Sequence, residues 1–264
     1  MRAATARPQL QGAVMGLLRV GTPQLGRLRF GSWRGDARVA SIAPTRLAFG
    51  PVSAADVRDC VERAGHAGYD QVLTAALGRR DQPPFLEAGF EVEQRLHLLV
   101  HTLDRLPRVD ADVSIHRARR RDRQAVLAVD HAAFEPFWRL DDRGLSDALA
   151  ATSAVRFRVA RADGRTVGYA ITGRAEHRGY IQRLAVSPRV EGCGVGAALL
   201  IDGLRWLRRR GARDAVVNTQ EGNERSLKLY LRSGFVVQPE GLAVLGRHVF
   251  APPGRAGGSG WPPL

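Results

Sequence analysis

One stretch of the chain constrains the fold more than any other. It combines an apolar run at 179–186, a loop with Gly192, Gly194 and Gly196, and a helix pattern that continues to about residue 210. Glycine lets the backbone approach a ligand closely, and a helix start offers unpaired N–H groups at the positive end of its dipole. The order of strand, glycine loop and helix therefore predicts an α/β fold with an anion or phosphate site at this loop.

Known phosphate-binding motifs do not explain the loop. No Gly-Lys-Ser/Thr follows it, which excludes a P-loop. No acidic residue ends a following strand where a ribose would need one, which argues against a dinucleotide site. Alternating glycines also occur in plain turns, so that alternative stays open. We interpret Cys193, inside the loop, as a small residue in a tight turn, with a reactive thiol as the less favoured reading.

A similar plan of elements occurs twice in the sequence. Residues 55–90 and 197–235 each give a helix, a glycine, a strand, a polar turn and a short helix that ends in Gly-Phe. This internal similarity favours two related halves, with chance similarity as the alternative. Only the second half has the glycine loop. The predicted boundaries are a first domain at 1–107, a second domain at 112–250 and a disordered Pro/Gly-rich tail at 251–264.

The charge balance bears on the expected partners. The chain has 40 Lys and Arg against 26 Asp and Glu, a net charge of +14. A basic surface attracts anions. However, the arginine runs at 119–123 and 207–211 are typical of solvated faces, and no nucleic-acid-binding pattern accompanies them. We therefore expect no nucleic-acid partner.

Apolar runs and cysteines bear on the compartment and on metals. No apolar run reaches the length of a membrane helix, which predicts a protein without membrane contact. The two cysteines suggest no disulfide framework and have no zinc spacing. These features predict a cytoplasmic protein that holds no metal.

Several residues of the second half together resemble the Gcn5-related N-acetyltransferase (GNAT) superfamily. They are Leu184-Ala185-Val186, the loop at 191–196, Asn223 before a short helix, Leu229-Tyr230 within it, and Gly234-Phe235 after it. The resemblance covers about residues 112–250. It implies a mixed, mostly antiparallel sheet that is splayed at the acetyl-CoA site and flanked by helices. The first half resembles a degenerate GNAT domain, which implies a tandem arrangement.

The resemblance also implies an activity, the transfer of acetyl from acetyl-CoA to a primary amine. The acceptor would be a small molecule, a protein N-terminus or a lysine. Tyr230 would protonate the leaving thiolate, and Glu221 is a candidate base. The implied acetyl-CoA-binding residues are Leu184, Ala185, Val186, Glu191, Gly192, Cys193, Gly194, Val195, Gly196, Ala197, Asn223 and Tyr230.

Two positions depart from the family pattern. Glu191 stands where the family usually has Gln or Arg, and a carboxylate beside a pyrophosphate is unfavourable unless it points away. Asn218 stands where some members have a glutamate base, and an amide cannot accept that proton. The base therefore stays open, with further candidates on the predicted substrate side and at a turn. They are Glu176, His177, Asp141, Asp142, Glu135 and His131.

These departures leave a second hypothesis, a non-catalytic CoA-binding or ribosome- or nucleic-acid-associated module. The sequence does not specify the acceptor amine, and it is compatible with a monomer or a homodimer. It also does not say whether the first half binds a ligand.

Overall fold

The computed structural model describes residues 27–34, 36–44 and 51–249. The predicted tail lies outside them. The first half contributes β1 (Leu28–Ser32), β2 (Val39–Pro44), α1 (Ala54–His66), β3 (Gln71–Thr74), β4 (Leu77–Gly78), α2 (Pro83–Glu87) and β5 (Glu91–His101). The second half contributes β6 (Ser114–Arg117), α3 (Arg123–Ala133), α4 (Asp142–Ala150), β7 (Ala154–Ala162), β8 (Arg165–Ala175), β9 (Arg178–Val186), α5 (Val195–Arg209), β10 (Asp214–Gln220), α6 (Glu224–Arg232), β11 (Val236–Val237) and β12 (Leu242–His248).

These strands form one mixed sheet in the order β1-β2-β3-β12-β5-β10-β9-β8-β7-β6. Among the described strands, only the pairs β2–β3 and β9–β10 are parallel. The predicted fold class, a mostly antiparallel mixed sheet flanked by helices, is therefore confirmed. The domain boundaries and the degenerate origin of the first half stay predictions.

Local sequence explains the regular elements of the second half. Asp163 and Gly164 both have positive φ, at 50° and 73°, which is the conformation of a tight hairpin turn between β7 and β8. Alternation along β8 then directs side chains to opposite faces. Tyr169 packs with α3 and α4, whereas Ala170 packs with Leu199 of α5. Helices α3 and α4 thus cover one face of the sheet, and α5 covers the other.

The two halves exchange strands at the centre of the sheet. Strand β12 of the second half lies between β3 and β5, and its Ala243 and Leu245 complete the core around α1. In return, the later part of β5 pairs with β10, from His101 opposite Ala215 to Leu96 opposite Gln220. Each half therefore buries apolar surface that the other half supplies.

His101, at the end of β5, connects the two halves through hydrogen bonds of its ring. It is 2% exposed. Its Nδ1 accepts the Leu103 N–H at 2.8 Å, so its Nε2 carries the proton and donates to the carbonyl of Ser233, just after α6, at 3.1 Å. Burial lowers the pKa of His101 below its usual value, and the bond to Ser233 acts in the opposite direction. The neutral ring therefore connects the first half to the end of α6.

We expect stability to fall as pH is lowered through the titration of His101. A buried histidine with a lowered pKa binds its proton more weakly in the folded state than in the unfolded chain, where the pKa is about 6.5. Its stabilising contribution is therefore complete above about pH 6.5 and is lost as the pH falls toward the folded-state pKa. Urea unfolding between pH 7.5 and 5.5 measures this slope. His101→Gln should flatten it, and exposed His116→Gln should not. An unchanged slope in His101→Gln would contradict the assignment.

Candidate functional site

A gap opens between β9 and β10 in the middle of the sheet. The two strands pair only at their beginnings, from Arg178 opposite Asp214 to Tyr180 opposite Val216. Beyond this point β10 pairs with β5, and residues 181–186 have no β10 partner among the described residues. Strand β8 continues to pair with the other edge of β9 as far as Val186. The backbone at 184–186 therefore presents one free edge, to which an extended ligand can add like a strand.

A β-bulge in β9 lies just before this free edge. Ile171 faces Arg183 and Thr172 faces Ile181, so Gln182 is an extra residue in β9. A bulge of this kind bends its strand and redirects the neighbouring side chains. Gly173 provides the space, because a Cβ there would lie 2.7 Å from the Gln182 side chain. The bulge thus accompanies the separation of β9 from β10.

The glycine loop follows the free edge directly and leads into α5. Gly192 and Gly194 have φ values of +78° and +77°, in the left-handed region that favours glycine. Gly194 is the N-cap of α5, and no side chain caps this helix. The first N–H groups of α5 have no backbone partner among the described residues. The loop and the free edge therefore form one continuous surface that ends in N–H donors at a helix start.

The two left-handed glycines differ in their surroundings, which gives a test of the loop geometry. A Cβ at Gly192 would meet nothing within 4 Å, whereas a Cβ at Gly194 would lie 3.3 Å from both the Asp110 carbonyl and the Ala111 Cβ. Gly192→Ala should cost about 1–2 kcal/mol of unfolding free energy from the left-handed backbone alone. Gly194→Ala should cost more, because crowding against Asp110 and Ala111, in the linker between β5 and β6, adds to the strain. Equal losses in urea unfolding would show that the linker does not press on the loop.

Glu191, which departs from the family pattern, is paired in the structure. Its carboxylate forms a salt bridge with Arg225, in the first turn of α6. Both side chains are partly exposed, at 37% and 57% respectively. The pair places a cation next to the carboxylate at the beginning of the loop, which reduces the negative potential there. Arg225 was not identified from the sequence, because the 33 residues between the two positions hide their proximity.

Helix α6 carries the other predicted residues of the site. The Asn223 side chain accepts the Ser226 N–H at 3.0 Å, so it caps the helix. Tyr230 is 6% exposed, and its ring contacts Phe235 edge-on at 5.6 Å. Its hydroxyl has no hydrogen-bond partner within the described ranges. Burial raises the pKa of Tyr230, and the nearby Arg183 acts in the opposite direction. The phenol is therefore protonated at neutral pH.

The candidate bases do not converge on Tyr230. Glu221 is exposed at the end of β10, and its N–H donates to the Arg95 carbonyl at 3.1 Å. No contact between Glu221 and Tyr230 occurs in the described part of the chain. The other candidates have different local positions. Asp141 caps α4, Asp142 pairs with Arg123, His131 bonds the Leu140 carbonyl, Glu135 precedes a short turn, and Glu176 and His177 form the turn between β8 and β9.

A buried polar network lies on the α3 side of the gap, and sequence reasoning did not find it. Asp130 of α3 is fully buried, and it accepts two bonds from Arg183 of β9 at 2.8 and 2.9 Å. It also accepts the Tyr169 hydroxyl and, at 2.7 Å, the Leu140 N–H. The available signal was an aspartate at an inward position of an amphipathic helix, after Val126 and Val129.

An arginine-lined cleft lies away from the gap, at the edge strand β6. Its volume is about 540 Å³, and its walls include the arginine run that begins at Arg119. Strands β7 and β8 separate β6 from β9. Asp122 in this cleft pairs with Arg161 at 2.7 Å. The arginines at 119–121 are exposed, as predicted for a solvated face, and they form one wall of this cleft.

Two further findings concern metals and membranes. Across 27–34, 36–44 and 51–249, no three His, Cys, Asp or Glu side chains come together in a way that could hold a metal ion. Within the same residues, no helix is both long enough and apolar enough to cross a bilayer.

Comparison with known proteins relates part of the chain to acetyltransferases. A family model described as the acetyltransferase (GNAT) family matches residues 120–235. A mycothiol acetyltransferase of Frankia alni is 33% identical over 134 residues, which are 44% of this chain and 40% of that protein. A mycothiol acetyltransferase of Parafrankia sp. (strain EAN1pec) is 30% identical over 201 residues, 63% of this chain and 60% of that protein. The chain thus spans between two fifths and three fifths of the lengths of these two curated relatives.

Solved structures support the fold. A tandem GNAT protein from the clavulanic acid biosynthesis pathway has a TM-score of 0.63 at 15% identity, over 89% of this chain and 82% of that one. A GCN5-related N-acetyltransferase from Kribbella flavida has a TM-score of 0.58 at 19% identity, over 90% and 91% of the two chains. At these identities the likeness concerns the fold.

Proposed function

We propose that the chain transfers an acetyl group from acetyl-CoA to a primary amine, and the match of residues 120–235 to the model of the acetyltransferase (GNAT) family is the premise. One observation carries the proposal. The free edge of β9 leads, through one short turn at Pro188–Val190, to a left-handed glycine loop and to the start of α5, which no side chain of the described residues caps. An extended pantetheine arm fits such an edge, and a pyrophosphate fits such a loop.

We assign roles to the residues around this surface. The backbone at 184–186 pairs with the pantetheine arm, and the N–H groups at 192–197 bind the pyrophosphate. Asn223 caps α6 and presents this helix to the gap. Tyr230 lies in α6, with its hydroxyl unbonded and its phenol protonated, as a general acid for the thiolate requires. Acetyl-CoA supplies the activated thioester, and the amine attacks it directly.

The base is the open part of this mechanism. Glu221 is solvent-exposed, so it can act only through water or after a movement of its side chain. Amines of pKa 9–10 also have a small neutral fraction near pH 8, which can attack without a specific protein base. We keep Glu221 as the candidate base. If water alone removes the proton, Glu221→Gln should lower kcat by less than about tenfold, and a larger loss would support Glu221 as the base.

The name of the relatives suggests a particular acceptor. Mycothiol acetyltransferases match this chain over only part of their length. An acetyl transfer related to mycothiol is therefore one candidate reaction. Our proposal is broader than this one reaction, because it specifies only that the acceptor is a primary amine. A CoA-binding module without catalysis is the alternative outcome of the same experiment.

The experiment measures binding and transfer separately. Calorimetry gives the affinity of the purified chain for acetyl-CoA, and release of free CoA thiol gives turnover with a panel of primary amines. We expect saturable binding and amine-dependent thiol release above the rate without enzyme. Binding without release from any amine would support the non-catalytic module. Absence of binding would overturn both proposals.

The Glu191–Arg225 pair makes a separate prediction about CoA affinity. Arg225→Gln leaves the Glu191 carboxylate unpaired beside the bound pyrophosphate, so we expect the Kd for CoA to rise about two- to fivefold. Glu191→Gln should lower the Kd by a similar factor. The double variant should lie near the wild type, because both charges are then absent. Lys228→Gln, which breaks the neighbouring Glu224–Lys228 pair at 2.9 Å, is the control, and a change of equal size there would contradict a specific role for Arg225.

A further inference from the structure

The loop at 134–140, between α3 and α4, lies beside the gap. Arg183 of β9 holds this loop against the sheet. Its Nη2 donates to the Trp138 carbonyl at 2.7 Å, and its guanidinium lies 3.5 Å from the centroid of the Phe134 ring. Since Arg183 immediately precedes the free edge at 184–186, this loop packs next to the proposed acetyl-CoA surface.

The turn between β1 and β2 of the first half packs on the same loop. Trp33 stacks on Phe137 with ring centroids 5.6 Å apart and meets Trp138 edge-on at 5.9 Å. Its indole N–H points to the Phe137 carbonyl at 3.4 Å. The wall is therefore composite. The first half supplies one aromatic side chain, and the second half supplies the loop with its two partly exposed aromatic rings.

Arg34, next to Trp33, is the unusual residue of this wall. It has a φ of +50°, a conformation that is uncommon for a residue with a side chain. It donates to the Trp138 carbonyl, and its guanidinium lies 5.0 Å from the ring centroids of both Trp33 and Trp138. Its Nε is buried and has no hydrogen-bond partner among residues 27–34, 36–44 and 51–249. An unpaired buried donor on a charged group is costly, so an anion from outside the described residues would stabilise Arg34.

The charges of this wall do not balance. Two arginines, Arg34 and Arg183, face a single buried carboxylate, that of Asp130. Asp130 is already saturated by Arg183, by Tyr169 and by the Leu140 N–H. Burial and, next, the charge of Arg183 lower the pKa of Arg34 to about 9. The charge of Asp130 acts in the opposite direction, but this one carboxylate is shared between two arginines. An anion beside Arg34 would therefore relieve both the desolvation and the repulsion.

We propose that this composite wall recognises the acceptor, and that the acceptor carries a carboxylate, which pairs with Arg34, in addition to its reacting amine. The proposal rests on the acetyltransferase function proposed above. The partly exposed rings of Phe137 and Trp138 give the wall a flat apolar surface, which suits an aromatic or extended apolar body between the two charged groups of the acceptor. The first half is then a contributor to substrate selection.

A binding experiment tests the anion site without any turnover. Phenylacetate and its neutral amide, phenylacetamide, are titrated into the full chain while tryptophan fluorescence is recorded, since Trp33 and Trp138 lie in the wall. In the wild type we expect phenylacetate to bind at least about tenfold more tightly than phenylacetamide. Arg34→Gln should reduce this preference below about threefold. Arg38→Gln, which removes an exposed arginine of the same β1–β2 region that pairs with Asp70, should retain it.

Either of two outcomes overturns the proposal. One is equal binding of the acid and the amide in the wild type, and the other is an unchanged preference in Arg34→Gln. Arg34→Lys keeps the charge and provides a second variant if Arg34→Gln lowers the folded fraction, which circular dichroism reports. We expect Arg34→Lys to retain a preference for phenylacetate of at least about threefold, and loss of this preference in a folded Arg34→Lys also counts against a charge-based site.

Turnover then distinguishes this inference from the proposed function. Benzylamine and 4-(aminomethyl)benzoate share one reacting group and differ in the carboxylate. We expect kcat/KM to favour the carboxylate-bearing amine about tenfold, through KM, and Arg34→Gln to remove the difference. If the chain binds acetyl-CoA but acetylates neither amine nor any other of the panel, the proposed function fails, while the phenylacetate titration still decides whether Arg34 is an anion site.

Discussion

Tyr230→Phe is expected to lower kcat for acetyl transfer by about two to four orders of magnitude, the usual contribution of a general acid. The substitution removes only a hydroxyl, and this hydroxyl makes no hydrogen bond within the described residues. The ring keeps its buried position against Phe235, so stability should change little. Affinity for acetyl-CoA should be preserved, because the proposed pyrophosphate and pantetheine contacts come from the backbone of the loop and of β9. Calorimetry and thiol release measure the two effects separately.

The control for this substitution is Tyr69→Phe. Tyr69 is partly buried against the first-half core and contacts Phe30 edge-on at 5.9 Å, so it tests the loss of a tyrosine hydroxyl outside the gap. We expect unchanged kcat in that variant. A kcat in Tyr230→Phe within threefold of the wild type would contradict a role as general acid and leave Tyr230 as an interior aromatic residue.

Asp130→Asn is expected to give the largest loss of stability, about 3–5 kcal/mol, the usual cost of removing one partner from a buried ion pair. Asp130 is completely buried and accepts hydrogen bonds from Arg183, Tyr169 and Leu140. The amide has no charge to balance Arg183, and it offers donors where the site presents donors. Urea unfolding, with the m-value checked for two-state behaviour, measures the loss.

Two comparisons separate this effect from a general loss of charge. Asp142→Asn breaks an exposed pair with Arg123 at 2.8 Å, and we expect it to cost about 1 kcal/mol or less. The double variant Asp130→Leu with Arg183→Met removes both buried charges together, and it should be more stable than Asp130→Asn. If the double variant is the less stable of the two, the hydrogen bonds of the network stabilise the fold in addition to the neutralisation of its charges.

Local patterns predicted the parts of the fold that depend on local interactions. The glycine loop and the helix after it are visible in the sequence, because turn chemistry and periodicity act over a few residues. The exchange of β5 and β12 was not predicted. Both strands alternate well enough to pair with several neighbours, and the choice depends on cores assembled from distant segments. The internal similarity indicated two halves but not which strand belongs in which core.

The same distinction between local and long-range interactions applies to the residues of the site. Asn223, Tyr230 and the glycines lie in a recognisable spacing, whereas Arg225 and Arg183 acquire partners only on folding. Arg183 differs in no way from the many other arginines of the sequence until Asp130 lies opposite it. Arg34 is even less visible, since its importance comes from a turn of the first half that reaches a loop about 100 residues further along the chain, where its bond to the Trp138 carbonyl spans 104 positions.

The exchanged strands have a consequence for synthesis of the chain on the ribosome. The Leu245 N–H donates to the Thr74 hydroxyl at 2.9 Å across 171 residues of sequence, and Ala243 and Leu245 fill the core around α1. The first half emerges early but cannot close its core until β12 has also left the exit tunnel. During this interval β3 and β5 present unpaired edges, which are prone to association with other chains. Translation speed over the second half should therefore influence the yield of folded protein, even though the incompletely folded core belongs to the first half.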